Sequence, residues 1–202
     1  MEGRTEFLKK LKPDTFEDIC VAMALYRPGP MKNIDKYIEA KNNPSKVKYI
    51  LPELEEILKP TNGILIYQEQ IIEMAQKVAN YSKKDADLLR KAMSKKKKDI
   101  LAAEEEKFIE GCIKNNISQY NAKQIFDLML KFAEYGFNKA HSCGYSLVSY
   151  RMAYLKAHYK HIFMSKLLTM EMNDKSKLKK YIYECKKNGI NILKPNINES
   201  SN

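Results

Sequence analysis

Residues 132–158 read FAEYGFNKAHSCGYSLVSYRMAYLKAH, and this stretch decides how the chain is read. It begins as the end of one amphipathic helix and breaks at Gly136. A short polar loop, Asn138-Lys139-Ala140-His141-Ser142, then leads through Gly144 to a second long helical pattern. Helix, break, helix is the rhythm of an α-helical domain rather than of a sheet. The loop gathers amide, ammonium, imidazole and hydroxyl groups, with Tyr135, Phe137, Tyr145 and Tyr150 flanking it. Such a turn can grip an anion or the edge of a base while the rings stack on its face.

Outward from this stretch the same rhythm holds. Upstream, Ser118 caps a helix whose inner stripe is Ile125, Phe126, Met129 and Phe132. A long helix from Asp99 to Lys114 precedes it, with Leu101, Phe108 and Ile109 inward. Ser82 with Asp85 and Thr15 with Asp18 have the spacing of capping boxes. Arg27-Pro28-Gly29-Pro30 must end the helix after Thr15, and Pro30 suits the first turn of the next, with Ile34, Tyr37 and Ile38 inward. Residues 42–52 read as a loop with room for a short extended piece, and Pro60-Thr61-Asn62-Gly63 as a turn. Ile64-Leu65-Ile66-Tyr67 has strand propensity but runs directly into a helical pattern, so it is expected to be that helix's lead-in.

Downstream, the helix from Tyr145 to Tyr159 is expected to turn Tyr145, Val148, Met152 and Leu155 inward. Two more helices follow, roughly His161–Met172 and Lys175–Lys187, with Gly189 ending the second. The fold class is all-α, a multi-helix globular domain without a substantial sheet. The organisation expected is a helical lead-in over 1–30, a main domain over 31–190 and a link over 191–202.

Charge narrows the function classes. The 202 residues carry 36 Lys+Arg against 25 Asp+Glu, a net charge of +11, which draws the chain to polyanions. No apolar run approaches membrane-spanning length, and the first residues lack the apolar core of a signal peptide. Four scattered cysteines, Cys20, Cys112, Cys143 and Cys185, form no CxxC pair and suit reduced thiols in the cytoplasm. The densest basic segment is Ser82–Asp99, with Arg90 and Lys91 beside Leu88, Leu89 and Met93 and then the run Lys95–Lys98. A solvated helix end is the ordinary fate of such a run. Basic groups at the margin of an apolar face are, however, held in place as a phosphate clamp requires.

Other chemistries are poorly supported. His141 with Cys143 lacks an orienting carboxylate for nucleophilic catalysis, and His158 with His161 lacks further metal ligands. Arg151, Tyr154 and His158 share one side of a helix, either as a half-exposed flank or as a nucleic-acid face. There is no P-loop, no GxGxxG and no serine elbow, and no carboxylate pair suited to two-metal chemistry. A phosphate-binding chain without metal ligands is a binding element or part of a larger enzyme.

Four stretches then carry a resemblance. Ala24-Leu25-Tyr26-Arg27-Pro28-Gly29-Pro30-Met31, Gly63-Ile64 with Tyr67-Gln68-Glu69-Gln70, Ala86-Asp87-Leu88-Leu89-Arg90-Lys91-Ala92-Met93 followed by Lys95-Lys96, and Tyr135-Gly136-Phe137-Asn138-Lys139-Ala140-His141-Ser142 occur in this order. Together they resemble the alpha subunit of bacterial DNA polymerase III, the C-family replicative polymerase, and its DnaE-type branch more than its PolC-type one. The resemblance implies the fingers domain, an all-helical block that closes over the incoming nucleotide.

By the same resemblance, Arg90 and Lys91 face the dNTP triphosphate with Lys95 and Lys96 close by. Tyr135, Asn138, Lys139, His141 and Ser142 form the wall near the nascent base pair. Arg27 lies near the palm, and Arg27, Lys97, Lys98 and Arg151 are candidates for DNA contact. Where the family commonly has two arginines this chain has Arg90-Lys91, and Ser94 and Ala140 stand where Gly and Ser are frequent. The catalytic aspartates that bind Mg2+ belong to the family's palm, upstream of this chain, so no catalytic or metal-binding residue is expected here and this stretch alone is expected to be inactive. Primer-template DNA, dNTP, the sliding clamp and other replisome subunits are the implied partners, and no membrane is. The rival reading is a stand-alone basic helical module that binds nucleic acid without catalysis.

Overall fold

The computed structural model describes residues 2–95, 98–194 and 196–198, with the side chains of 2, 98 and 99 outside the description. Among the described residues there are eleven α-helices and no strand longer than one isolated bridge. None of the described helices is long and apolar enough to cross a membrane. The all-α expectation therefore holds. Two compact units divide at Ser146 and Leu147, where the sequence carries no break in composition.

The first unit, Met1–Ser146, has two cores. Helices α1 (Glu2–Leu11), α2 (Phe16–Leu25) and α3 (Ile34–Asn42) bury Phe7, Leu11, Val21, Leu25 and Tyr37 against Ile64, Ile66 and Tyr67. A four-residue α4 (Glu55–Leu58) leads to α5 (Gln68–Ala79), α6 (Lys83–Ser94), α7 (Lys98–Lys114) and α8 (Gln119–Ala133). These last four helices bury Ile71, Met74, Val78, Leu89, Met93, Phe108, Ile125, Phe126 and Met129 in one cluster. The stripes expected on α7 and α8 are the ones buried, with Leu101, Ile109 and Phe132 packed at the margin.

Local chemistry explains most boundaries. Thr15 and Asp18 form the expected capping box, and Ser118 caps α8. At α6, Ser82 Oγ accepts from the Asp85 amide, but its hydroxyl donates to the Asp85 carboxyl instead of leaving that carboxyl to the Ser82 amide, so the expected box is half formed. Pro30 opens a 3-10 turn, Pro30–Asn33, that leads into α3. Residues 42–52 form the expected loop: two 3-10 turns, Pro44–Lys46 and Pro52–Leu54, are each begun by a proline, and Val47 and Leu51 between them are extended. Residues 64–67 are extended and buried and lead directly into α5.

Two expectations for the C-terminal helices are corrected. Helix α9 (Lys139–His158) starts at Lys139, not Tyr145, so most of the anticipated loop is its first turn and Gly144 lies inside it. Asn138 makes this possible: its side-chain oxygen accepts from the His141 amide at 2.7 Å, and its carbonyl accepts from the Ser142 amide. The expected inner face is also turned out, with Tyr145, Val148, Met152 and Leu155 each more than 40% exposed. The buried positions of α9 are Ser142 and Ser146, small residues that permit close approach.

The second unit, Leu147–Asn202, continues α9 into α10 (Lys160–Met170) and α11 (Lys175–Lys187). Its core is small: Met164, Cys185 and Ile190, flanked by Phe163, Leu167, Leu168 and Tyr181. Lys156 pairs with Glu184, Asp174 caps α11, and Gly189 follows it at φ 71°.

Asp18 is the electrostatic hinge of the first core. It is 3% exposed, accepts from the Asp14 and Thr15 amides and the Tyr37 hydroxyl, and pairs with Lys41. Burial alone would raise its carboxyl pKa, but the bonds from Lys41 and the Asp14 amide outweigh that and bring it down to about 2. A lowered carboxyl stabilises the fold above its ordinary value of 3.8, and that contribution is lost as the pH falls toward 2. Lys41→Met is expected to cost about 3 kcal/mol at neutral pH by leaving Asp18 buried without its cation. It should also move the acid loss to higher pH. Urea denaturation across a pH series checks both, and an unchanged acid limb would contradict the assignment.

Candidate functional site: the polar junction and the α6 cations

The buried extended piece at 64–67 has backbone groups that need partners, and no sheet supplies them. The Ile66 carbonyl accepts from the Phe137 amide at 3.0 Å, and the Phe137 carbonyl accepts from the Gln68 amide at 2.9 Å, making the parallel Tyr67–Phe137 bridge. The Ile66 and Tyr67 amides both donate to Gln70 Oε1, whose Nε2 reaches the Ile57 carbonyl and Thr61 Oγ1. Gln68 Nε2 donates to the Gly136 carbonyl. Residues 63–70 and 135–142, distant in sequence, are thereby one structure.

Glu69 extends the junction to α9. One carboxylate oxygen accepts from Asn138 Nδ2 at 2.9 Å and the other from the Lys139 backbone amide at 3.0 Å. A carboxylate at a helix N-terminus satisfies an orphan amide and complements the positive end of the dipole. Arg27 joins from the RPGP turn: Nε donates to the Ala24 carbonyl, Nη2 to the Tyr135 carbonyl, and the guanidinium lies 4.3 Å from the centre of the Phe137 ring. Burial lowers the Arg27 pKa from its usual value. Gly29 is required here, because its φ is +92° and a Cβ would stand 2.5 Å from Tyr135 Cε1.

The wall residues separate by orientation. Tyr135, Asn138 and His141 are exposed and Lys139 is half-buried. The His141 ring packs between Phe137 and Tyr145, and Lys139 Nζ lies 5.4 Å from the centre of the Tyr67 ring. Ser142 faces inward, fully buried, its hydroxyl donating to the Cys20 carbonyl at 2.6 Å.

On α6, Arg90 and Lys91 converge on one carboxylate. Arg90 Nε and Nη2 both donate to Asp87 Oδ1, at 3.0 and 2.8 Å, and Lys91 Nζ lies 2.6 Å from Oδ2. The bonds from Lys91 and Arg90 hold the Asp87 carboxyl below the usual carboxylate range, the effect of Lys91 being the larger. The Arg90 side chain is 15% exposed, whereas that of Lys91 is 54% exposed. Ser94, one turn after Arg90 on the same face, donates its hydroxyl to the Ala133 carbonyl at 2.8 Å. The α6 cations are therefore tied to the end of α8, two residues before Tyr135.

Lys95 is exposed at the end of α6. Lys96 and Lys97 lie outside the described residues, and Lys98 opens α7 with its side chain undescribed. Arg151 is exposed on α9 in the second unit, near the ring series Tyr150, Tyr154 and His158. No three His, Cys, Asp or Glu among the described residues converge as metal ligands. Sequence reasoning missed two residues, Glu69 and Asp87. A carboxylate three and four residues ahead of Arg90 and Lys91 was a readable signal for Asp87. Nothing local pointed from Glu69 to Asn138.

The fold and junction define an all-helical, strongly basic domain whose polar turn is pinned by motifs from three distant segments. The model of the bacterial DNA polymerase III alpha subunit finger domain matches residues 1–116. DNA polymerase III subunit alpha of Staphylococcus aureus strain Mu50 is 50% identical over 199 residues, covering 98% of this chain and 19% of the relative. The same figures hold for the protein of strain COL. For that of Bacillus subtilis strain 168 they are 47%, 98% and 18%. This chain belongs to the finger-domain family of the bacterial DNA polymerase III alpha subunit, and it spans less than a fifth of the curated relatives it matches.

Glu69→Ala should free the first turn of α9. Chemical denaturation is expected to show a loss of about 1 to 2 kcal/mol, the scale of a helix cap. Amide exchange at residues 139–142 should quicken by more than that global loss accounts for. Exchange changing only in step with global stability would contradict the anchoring role.

Proposed function

We propose that this chain is the fingers of a replicative DNA-directed DNA polymerase, binding the incoming dNTP and covering the nascent base pair. The observation that carries the proposal is the convergence of Arg90 and Lys91 on a single carboxylate, Asp87. Two cations aimed at one small anion are pre-arranged for a phosphate group, which offers more acceptor oxygens than a carboxylate and competes for the same donors. Lys95, at the C-terminal end of α6, and Lys96 are proposed for the triphosphate, and Lys97, Lys98, Arg27 and Arg151 for the DNA backbone.

The exposed ring of Tyr135 and the polar groups of Asn138, Lys139 and His141 would meet the base and sugar, with Ser142 supporting them from behind. Fixed donors around the triphosphate orient the substrate without reorganisation, which is how a domain without catalytic carboxylates raises the rate of chemistry elsewhere. Mg2+ supplies charge stabilisation in two-metal phosphoryl transfer. Among the described residues no three His, Cys, Asp or Glu converge on such a site, and Asp87 is committed to Arg90 and Lys91, so we place the Mg2+ ligands in the palm of the longer polypeptide. Primer-template DNA, the sliding clamp and other replisome subunits are proposed as partners of that whole protein, working in the cytoplasm.

The rival, a stand-alone nucleic-acid-binding module, predicts that Arg90 serves DNA affinity alone. In the full-length polymerase, Arg90→Ala should raise the KM for dNTP about tenfold or more, the scale of a lost charge-assisted hydrogen bond. Primer-template Kd should change less than about twofold, because many contacts share that affinity. Equal effects on both quantities would overturn the assignment of Arg90 to the triphosphate.

A further inference from the structure

We propose that Cys20 and Cys143 form a reversible thiol-oxidation site, closing to a disulfide that ties the first turns of α9 to the middle of α2. Their Sγ atoms are 3.6 Å apart, although 123 positions separate them in sequence. A disulfide holds its sulfurs about 2.05 Å apart, so closure needs an approach of only about 1.5 Å. The separation is held by a neighbouring bond, Ser142 Oγ to the Cys20 carbonyl, which fixes α9 against α2 at the adjacent residue.

The two sulfurs differ in access. Cys143 is partly exposed, while Cys20 is fully buried. Burial pushes the Cys20 thiol up to about 12, so it remains protonated and does not lead the attack. The other two cysteines, Cys112 and Cys185, are buried with no thiol partner in reach.

The surroundings are polar. Buried oxygens of Glu17, Tyr67 and Ser146 lie beside the two sulfurs, the Tyr67 hydroxyl interacting with Glu17 and the Ser146 hydroxyl with Cys20. Burial raises the Tyr67 hydroxyl pKa, and the neighbouring Glu17 carboxylate raises it further.

The oxidant is hydrogen peroxide. The Cys143 sulfur, as thiolate, attacks one peroxide oxygen; the O–O bond breaks, and Cys143 becomes a sulfenic acid with release of hydroxide, which is protonated to water. The Cys20 sulfur then attacks the Cys143 sulfur. The S–O bond breaks and the leaving hydroxide takes the Cys20 proton as water. Two thiols lose two hydrogens in all, and the peroxide is reduced to two waters. A dithiol reductant reverses the bond by exchange.

The test is hydrogen peroxide treatment of the folded chain, alkylation of free thiols and peptide mapping. The expected product is a peptide linked through Cys20 and Cys143, lost on reduction with dithiothreitol and absent from Cys143→Ser, with slower amide exchange at residues 139–146 in the oxidised chain. A peroxide-treated chain with Cys143 sulfinylated or joined to a second chain, and with Cys20 still alkylatable, would overturn the proposal. Cys20→Ser offers a second check where its circular dichroism matches that of the unaltered chain: Cys143 should then stop at the sulfenic acid, trapped by dimedone. A linked peptide forming through another cysteine would overturn it equally.

Discussion

The pairing of Tyr67 with Phe137 is the constraint on which the first unit depends. A buried extended segment must find partners for its backbone groups, and in a fold without a sheet it finds them in one turn and one glutamine side chain. That need brings residues 135–137 against the entrance to α5. Everything else at the junction follows from the resulting proximity: Glu69 reaches the start of α9, Arg27 reaches the Tyr135 carbonyl, and the RPGP glycine fits under the Tyr135 ring. Removing the bridge would leave buried amides unpaired, which costs more than the bonds themselves contribute.

Charge is arranged with the same economy. In a chain of net charge +11, Arg90 and Lys91 on α6 share the single carboxylate of Asp87, and Lys95 at the helix end is exposed. Asp87 orders Arg90. On the proposed reading, a phosphate arriving there would meet an arginine already held in a fixed geometry, which lowers the ordering entropy of binding.

Much of this was legible in the sequence, and the exceptions have physical causes. The stripes of α7 and α8, the Thr15 and Ser118 caps and the RPGP break were readable because each depends on residues a few positions apart. The start of α9 was misread because Asn138, Ser142 and Gly144 carry loop propensities, and the capping role of Asn138 is reinforced by Glu69 from 69 positions away. The exposed stripe of Val148, Met152 and Leu155 follows the period of a buried face, yet the buried positions of α9 are the serines at 142 and 146. Periodicity reports that a helix has an apolar face and not what lies against it. The Cys20–Cys143 proximity is a product of tertiary packing alone.

The central claim is that the α6 cations and the Tyr135–Ser142 turn act as one nucleotide-binding surface. Hydrogen exchange of the full-length polymerase on a dideoxy-terminated primer-template, with and without the next correct dNTP, tests it directly. The account predicts that the nucleotide slows exchange in the second half of α6 and at residues 138–142 together, over the same concentration range. Protection at only one of these segments, or at neither, would contradict it.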